Sequence, residues 1–285
     1  MVNQPLRMLM SLNSFVALRV QCRVAEDNTM SHIESERDGA VQRIAINRPD
    51  KKNALTADMY DALSTALEQA EADDGVRVIL LHAKGAAFTA GNDLEDFLKK
   101  PWKEQAIPPA VRFIHAVARA RKPIVAAVQG LAVGVGTTIL LHCDLVYAAE
   151  DAKLVMPFIN LGIVPEAAST VLLPLAIGRQ RAAELFMLGA PLSARRAFEM
   201  GLVNAVVAPE ALLATAAAAA QQLAEKPAGA LRACKALMTR AQQSEVERAM
   251  REEVMVISER LESAETKEAL SAFLEKRKPD FSRFQ

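Results

Sequence analysis

The sequence predicts one large α/β domain, with a short appendage at most. Two compact, β-branched apolar runs, residues 76–82 and 124–128, are typical of buried strands, and a glycine follows each of them. Segments with the apolar spacing of helices lie between and after these runs, and the links are short. This alternation of strands and helices indicates an α/β architecture.

The first elements follow from local signals. Alternating apolar residues in 39–46 predict a strand, and the Asn-Arg-Pro-Asp sequence of 47–50 predicts the turn that ends it. Thr56 is a good helix N-cap because its hydroxyl can accept a backbone N–H bond. The helix that it begins has apolar residues at every third or fourth position: Met59, Leu63, Leu67 and Ala70.

The middle of the chain continues the pattern. Residues 101–109 are predicted to form a loop and 110–120 a helix, which Arg121-Lys122-Pro123 ends. Further along, 133–142 is predicted to be helical, 145–148 extended and 167–173 helical again. The body of the domain is therefore expected to span residues 30–208.

The composition changes after about residue 208, where alanine, glutamate, arginine and leucine dominate. We predict that 209–285 is helical. Two apolar stripes run along these helices, so they must pack on the body or on another subunit. The stripes are Leu231, Cys234, Leu237 and Met238, then Met250, Val254, Ile257 and Leu261.

Composition also excludes several classes of function. Basic and acidic residues balance at 34 each, which argues against a nucleic-acid binder. The cysteines and histidines show no metal-ligand spacing, so no metal is predicted, and the few scattered cysteines favour a reducing, cytoplasmic location. No apolar run reaches the roughly 18 residues of a spanning helix, so membrane insertion is not expected.

Residues 1–29 contain arginines but no acid before Glu26. We expect a disordered extension there, with Met30 opening the domain. An organellar transit peptide is the alternative.

Two glycine-flanked turns are the candidate sites of chemistry. Residues 85–94 and 130–138 each follow a predicted buried strand and lead into a helix. Small residues in such turns expose backbone N–H groups that can bind an anionic oxygen, and two turns could converge on one carbonyl. A dinucleotide-binding loop is disfavoured because Ile139 stands where the third glycine is needed. For the first turn alone, an ordinary tight turn is the alternative.

The order of these motifs resembles the crotonase (enoyl-CoA hydratase/isomerase) superfamily. The resemblance rests on Asn47-Arg48-Pro49 with Asn53-Ala54-Leu55, on 88–94, on 130–134, on Cys143-Asp144 and on the C-terminal stretch 273–281, and it covers roughly residues 39–281. It implies an α/β spiral of ββα turns with a helical C-terminal trimerisation region, forming trimers or dimers of trimers. It also implies that the backbone N–H groups of Ala90 and Val135 form an oxyanion hole.

The resemblance also discriminates between reactions. Typical hydratases of the family carry two glutamates, but this chain has Thr138 and Phe158 at those positions, and neither is a general base near neutral pH. The stretch 157–169 is instead similar to the isomerase branch, and Glu166 matches its catalytic glutamate. A single carboxylate can move a proton from C2 to C4 of a 3-enoyl-CoA. The alternative for Glu166 is a helix N-terminal acid, which the helix dipole favours.

Contacts to the substrate are expected from residues near these motifs. The phosphates of coenzyme A, which would be part of the substrate rather than a resident cofactor, could meet basic residues, although a solvated face is an equal alternative for the lysines. Phe97 and Trp102 are expected in the core or beside the acyl tunnel. Asp93 is expected to cap a helix or to tie a loop, and Asn92 to line the pocket mouth. The full set of expected substrate contacts is Lys51, Lys52, Ala54, Asn92, Asp93, Leu94, Thr138, Phe158, Phe273 and Lys276.

The resemblance therefore favours a Δ3,Δ2-enoyl-CoA isomerase. The alternatives are a hydratase-like enzyme whose base lies elsewhere and a catalytically silent acyl-CoA-binding protein. Measuring double-bond migration, water addition and proton exchange at C2 separates them.

Overall fold

The computed structural model describes residues 32–99 and 107–284. The expected extension 1–29, most of the expected loop 101–109 and the candidate tunnel residue Trp102 lie outside these residues, as does the side chain of Phe97. The strands of the described part are β1 (Ile33–Asp38), β2 (Val41–Ile46), β3 (Val78–Ala83), β4 (Ile124–Val128), β5 (Leu131–Val133), β6 (Leu145–Ala149), β7 (Lys153–Val155), β8 (Leu192–Ser193) and β9 (Ala205–Val207).

Helices occupy most of the remaining described chain. They are α1 (Ala57–Ala72), α2 (Leu94–Lys99), α3 (Pro109–Ala118), α4 (Val135–Thr138), α5 (Ser169–Ile177), α6 (Arg179–Leu188), α7 (Ala194–Glu199), α8 (Leu212–Ala224), α9 (Ala228–Arg240), α10 (Gln243–Arg260) and α11 (Ala264–Leu274). Short 3₁₀ turns link several of them, including Ile139–His142 directly after α4.

The main sheet has the strand order β1-β2-β3-β4-β6-β9 among the described residues. Only β1 runs antiparallel, to β2, and the other neighbours are parallel. A smaller sheet has the order β5-β7-β8. Because neighbouring parallel strands end at the same edge, the turns that follow β3 and β4 are brought together there.

Both faces of the main sheet are buried at its centre, which explains why β3 and β4 are continuous apolar runs. Successive side chains of a strand point to opposite faces. In β3, Val78 and Leu80 pack with α8, while Ile79 and Leu81 belong to the larger core, which includes side chains of α1 and α3. The small residues that α8 buries let this helix lie close to the sheet.

The structure confirms most predicted elements and corrects others. Thr56 caps α1 and accepts a hydrogen bond from the Met59 N–H at 3.3 Å. The predicted helix 133–142 is divided between the end of β5, α4 and a 3₁₀ turn. The predicted helix 167–173 begins only at Ser169, because Ala167 and Ala168 adopt left-handed backbone angles, with φ of 62° and 53°. Strand β1 was not predicted, since its sequence alternates weakly between apolar and charged residues.

Gly130, between β4 and β5, lies where the backbones of the two glycine-flanked turns approach each other closely. It has φ of 54°, and a Cβ at this position would lie 1.9 Å from the Ala86 carbonyl oxygen. We therefore expect Gly130→Ala to lower the free energy of unfolding by about 3 kcal/mol or more, as strain and a backbone clash combine. Urea denaturation of the purified variants measures this loss.

Gly201→Ala is the matched control, because Gly201 also has positive φ, at 82°, but open space where the Cβ would be. It should lose only about 1 kcal/mol, from backbone strain. Equal losses in the two variants would contradict the proposed close contact.

Candidate active site

A cavity of about 890 Å³ lies where the ends of β3 and β5 face the C-terminal helices. Both glycine-flanked turns contribute to its wall. Its apolar lining comes mainly from α3, α10 and α11, and includes Val111, Ile114, Met250, Val254, Ile257, Leu261, Ala269 and Leu270.

The two turns are joined by backbone hydrogen bonds. The Phe88 N–H donates to the Gln129 carbonyl at 2.8 Å, and the Thr89 N–H donates to the Leu131 carbonyl at 2.9 Å. The Val133 N–H donates back to the Thr89 carbonyl at 3.0 Å. This ladder fixes the first turn against the second, as the sequence analysis expected of two converging turns.

Backbone pairing decides which N–H groups of the turns can reach a ligand. The Ala90 N–H donates to the Lys52 carbonyl at 2.9 Å, so the sequence-based assignment of an oxyanion donor to Ala90 is corrected. Within the described part of the chain, the next amide of this turn without an acceptor belongs to Asn92. The bridge between Leu55 and the 91–93 segment uses the Gly91 carbonyl and the Asp93 N–H and leaves out the Asn92 N–H.

Val135 supplies the second available donor. It is the first residue of α4, and its N–H has no acceptor among the described residues, as expected for a helix start. Val135 and Asn92 both line the cavity. Two backbone donors from separate turns are thus open to one ligand.

Glu166 reaches this cavity from a strained turn. It precedes Ala167 and Ala168, the two residues with left-handed backbone angles, and its carbonyl accepts the Ser169 N–H at 3.1 Å. Each left-handed alanine costs about 1–2 kcal/mol relative to a helical one. The turn places the partly buried Glu166 side chain in the cavity wall instead of on the outside of α5.

Burial raises the pKa of the Glu166 carboxyl from its ordinary value of 4.5 to about 7. A hydrogen bond from the Thr138 hydroxyl opposes this rise, and the nearby Glu253 carboxylate adds to it. A carboxyl with a pKa near 7 can both take up and return a proton at neutral pH.

Thr138 and Phe158 stand where the resemblance places the two glutamates of typical hydratases. The Thr138 hydroxyl donates to Glu166 Oε1 at 2.6 Å from a fully buried position behind it. Phe158 is 7% exposed and lines the cavity as an apolar wall. Neither brings a second carboxylate beside Glu166.

Asp93 also lines the cavity, but an ion pair and a helix cap occupy its carboxylate. Arg48 forms an ion pair with it at 2.7 Å, and the other Asp93 carboxylate oxygen caps the start of α2 by accepting the Glu95 and Asp96 N–H groups, each at 3.1 Å. Hydrogen bonds from Arg48, Asp96 and Glu95 outweigh its burial and lower the pKa of Asp93. The expectation that Asp93 is a cap is confirmed.

Sequence reasoning missed Tyr60. It lies on α1 within the cavity wall, and its hydroxyl donates to the side-chain oxygen of Asn92. Burial raises the pKa of Tyr60 well above its usual range, and the Glu166 carboxylate adds to this, so Tyr60 is neutral near pH 7. The Thr56 cap and the apolar spacing predicted helix α1. Only the packing of α1 against α3 shows that the side of the helix with Tyr60 lines the cavity.

The cavity mouth is basic and aromatic. Lys51, Phe273, Arg277, Lys278 and Phe281 line it, with Ala54 and Leu94 nearby. Lys52 and Lys276, although expected as contacts, are not among the described lining residues. Both adopt left-handed backbone angles at the end of a helical turn, with φ of 52° and 54°.

The described residues contain no group of three or more His, Cys, Asp or Glu side chains able to hold a metal ion. His115 lines the cavity, and burial lowers the pKa of its imidazole. His142 is held by the Ala167 carbonyl, 2.8 Å from its Nε2. No helix among the described residues is long and apolar enough to cross a membrane.

Residues 36–283 match the family described as enoyl-CoA hydratase/isomerase. A Bacillus subtilis (strain 168) protein named "Probable enoyl-CoA hydratase" is 37% identical over 256 residues, which is 88% of this chain and 99% of that protein. The Rattus norvegicus "Enoyl-CoA delta isomerase 2" is 34% identical over 248 residues, which is 85% of this chain and 63% of that protein.

A solved structure is similar to this chain in both sequence and fold. The enoyl-CoA hydratase/isomerase from Pseudoalteromonas atlantica T6c is 42% identical and has a TM-score of 0.84, covering 88% of this chain and 100% of the other. This likeness confirms the predicted α/β spiral fold with its helical C-terminal part.

The raised pKa of Glu166 predicts a pH-dependent effect on stability. The unfolded chain loses this proton near pH 4.5 and the folded chain near pH 7, so stability from Glu166 is lost as the pH rises between these values. Above pH 7 the charged carboxylate destabilises the fold by about 3 kcal/mol.

Glu166→Gln should therefore raise the free energy of unfolding at pH 8 and leave it nearly unchanged at pH 4.5, as urea denaturation at the two pH values would measure. An equal effect at both would contradict the raised pKa. Glu252→Gln, an exposed glutamate on α10, is the control and should change little at either pH.

Proposed function

The chain belongs to the enoyl-CoA hydratase/isomerase family of acyl-CoA enzymes, and from this premise we propose that it converts a 3-enoyl-CoA into the 2-enoyl-CoA, with Glu166 as its single base. The observation that carries the proposal is one carboxyl with a pKa near 7 in the wall of a cavity to which two backbone N–H groups are open.

The proposed reaction begins when the thioester carbonyl oxygen accepts the N–H groups of Asn92 and Val135. These bonds strengthen as charge develops on that oxygen, so the C2 proton becomes more acidic. Glu166 removes that proton and forms a dienolate. The protonated Glu166 then returns the proton to C4, the double bond moves to C2–C3, and the carboxylate is restored. No water molecule is consumed.

The environment of Glu166 favours this 1,3-shift over water addition. Among the described lining residues the other acids are Asp93, which is paired with Arg48, and the exposed Glu95. Thr138 is committed to Glu166 and Phe158 is apolar, so a second base to activate water is lacking in the described wall. One carboxylate is sufficient for proton transfer between C2 and C4.

A hydratase-type reaction is the second candidate, because the Bacillus subtilis relative carries that name. It requires water addition to a 2-enoyl-CoA, which can be followed by loss of the enoyl absorbance. The cytoplasmic location, a trimer or dimer of trimers, and coenzyme A contacts at Lys51 and Phe273 belong to the same proposal.

Glu166→Gln tests the proposed reaction directly. The amide cannot take the C2 proton, so kcat for 3-enoyl-CoA isomerisation should fall by about 1000-fold, within the range for lost general bases. Thioester binding, measured by calorimetry with a saturated acyl-CoA, should persist. In the unaltered enzyme kcat/KM should rise with pH through about 7, as Glu166 loses its proton.

Near-normal isomerase rates in Glu166→Gln would remove Glu166 from the mechanism. If the unaltered protein binds acyl-CoA but does not exchange the C2 proton in heavy water, the enzymatic proposal itself fails, leaving a silent binding protein.

Val135→Pro tests the backbone donor. Val135 is the first residue of α4, where proline is tolerated because the helix does not use that N–H. The substitution removes the N–H, so kcat should fall by about 100- to 1000-fold. Val135→Ala keeps the N–H and is expected to retain most of the activity. Similar rates for the two variants would show that the Val135 N–H does not bind the substrate oxygen.

A further inference from the structure

We propose that Glu253, on α10, is a positioning residue that holds the turn carrying Glu166. The proposal rests on the function proposed for Glu166. It assigns a role in proton transfer to a residue that does not line the cavity within the described structure.

The contacts of Glu253 are directed at this turn. One carboxylate oxygen accepts the Ala168 N–H at 2.7 Å. The other accepts the Thr170 N–H at 3.1 Å and the Thr170 hydroxyl at 2.5 Å. Glu253 is only 5% exposed, and these three donors replace part of the water that the carboxylate loses on burial. Burial still outweighs them and raises the pKa of Glu253.

The turn needs such support because its backbone conformation is unfavourable. Ala167 and Ala168 both have positive φ, and residues held in this region persist only when their surroundings determine them. Glu253 holds the Ala168 amide from one side, and His142 lies 2.8 Å from the Ala167 carbonyl on the other. Without the Glu253 acceptor, the turn could relax and carry Glu166 away from the substrate carbons.

The same carboxylate acts on Glu166 through its charge. Among the described residues, the titratable groups that contact or act on this turn include Tyr60 from α1, His142 from the 3₁₀ turn after α4, and Glu253 from α10. Of these, the Glu253 carboxylate contributes to raising the pKa of Glu166. A negative charge nearby makes Glu166 a stronger base once it has lost its proton.

A purely structural role would be to cap the start of α5, where Glu253 accepts two backbone N–H groups. Such a role predicts a change in stability alone. Positioning predicts in addition a lower kcat at nearly unchanged KM and a displaced pH profile, so kinetics separate the two roles.

The test is Glu253→Gln, which removes the charge and one acceptor but keeps the shape. The expected result is a fall in kcat for 3-enoyl-CoA isomerisation of about 10- to 100-fold, as for a misplaced catalytic group, with KM within about threefold. The acidic limb of the kcat/KM profile should move to lower pH, because the charge that raises the pKa of Glu166 is gone. Glu252→Gln, its exposed neighbour, should change neither quantity.

A folded Glu253→Gln enzyme with the kcat and acidic limb of the unaltered enzyme would overturn the proposal. If this variant does not fold, Thr170→Val takes its place, since it removes the shortest contact to Glu253, and about a 3- to 10-fold loss in kcat is expected; unchanged kinetics there would overturn the proposal too. Glu166→Gln, assayed in parallel, distinguishes the failures. If it retains activity, the proposed function has failed; if it is inactive while Glu253→Gln is normal, only the role of Glu253 has.

Discussion

The hydrogen-bonded contact between the two glycine-flanked turns is the constraint on which the site depends. It exists because β3 and β4 are parallel neighbours and end at one edge of the main sheet. The turns approach so closely that a Cβ on Gly136 would lie 2.2 Å from the Thr89 side chain. Backbone pairing then satisfies most amides of both turns and leaves those of Asn92 and Val135 open to the cavity.

The position of the Glu166 carboxyl depends on a second feature, the strained turn that precedes α5. Two successive alanines in an unfavourable conformation lead into α5, and a carboxyl that would be more stable in water lies in an apolar wall. Both features destabilise the fold, and contacts from α10 and from His142 offset them locally. The C-terminal helices thus do more than cover the cavity, since they hold the turn from which Glu166 projects.

The limits of sequence reasoning follow from the same contacts. Runs of apolar residues predicted β3 and β4, because local composition decides whether a strand is buried on both faces. The choice between Ala90 and Asn92 as a donor depends on a hydrogen bond to Lys52, which lies far away in the chain, and no local pattern reports it. Glu253 did leave a signal, since it lies three residues after Met250 and four before Ile257, inside an apolar stripe. A charged residue there predicts a buried partner, but not which one.

In the proposed isomerisation one carboxyl is sufficient, because the proton that Glu166 takes from C2 is the proton that it returns to C4. A strongly acidic carboxyl would take the C2 proton poorly, and a strongly basic group would return it to C4 poorly, so a pKa near neutrality suits both halves of the proposed reaction. Burial and the Glu253 carboxylate raise the pKa, while the Thr138 hydroxyl holds it down. Since the carboxyl would be more basic without this donor, the Thr138 hydroxyl helps to set the pKa of Glu166.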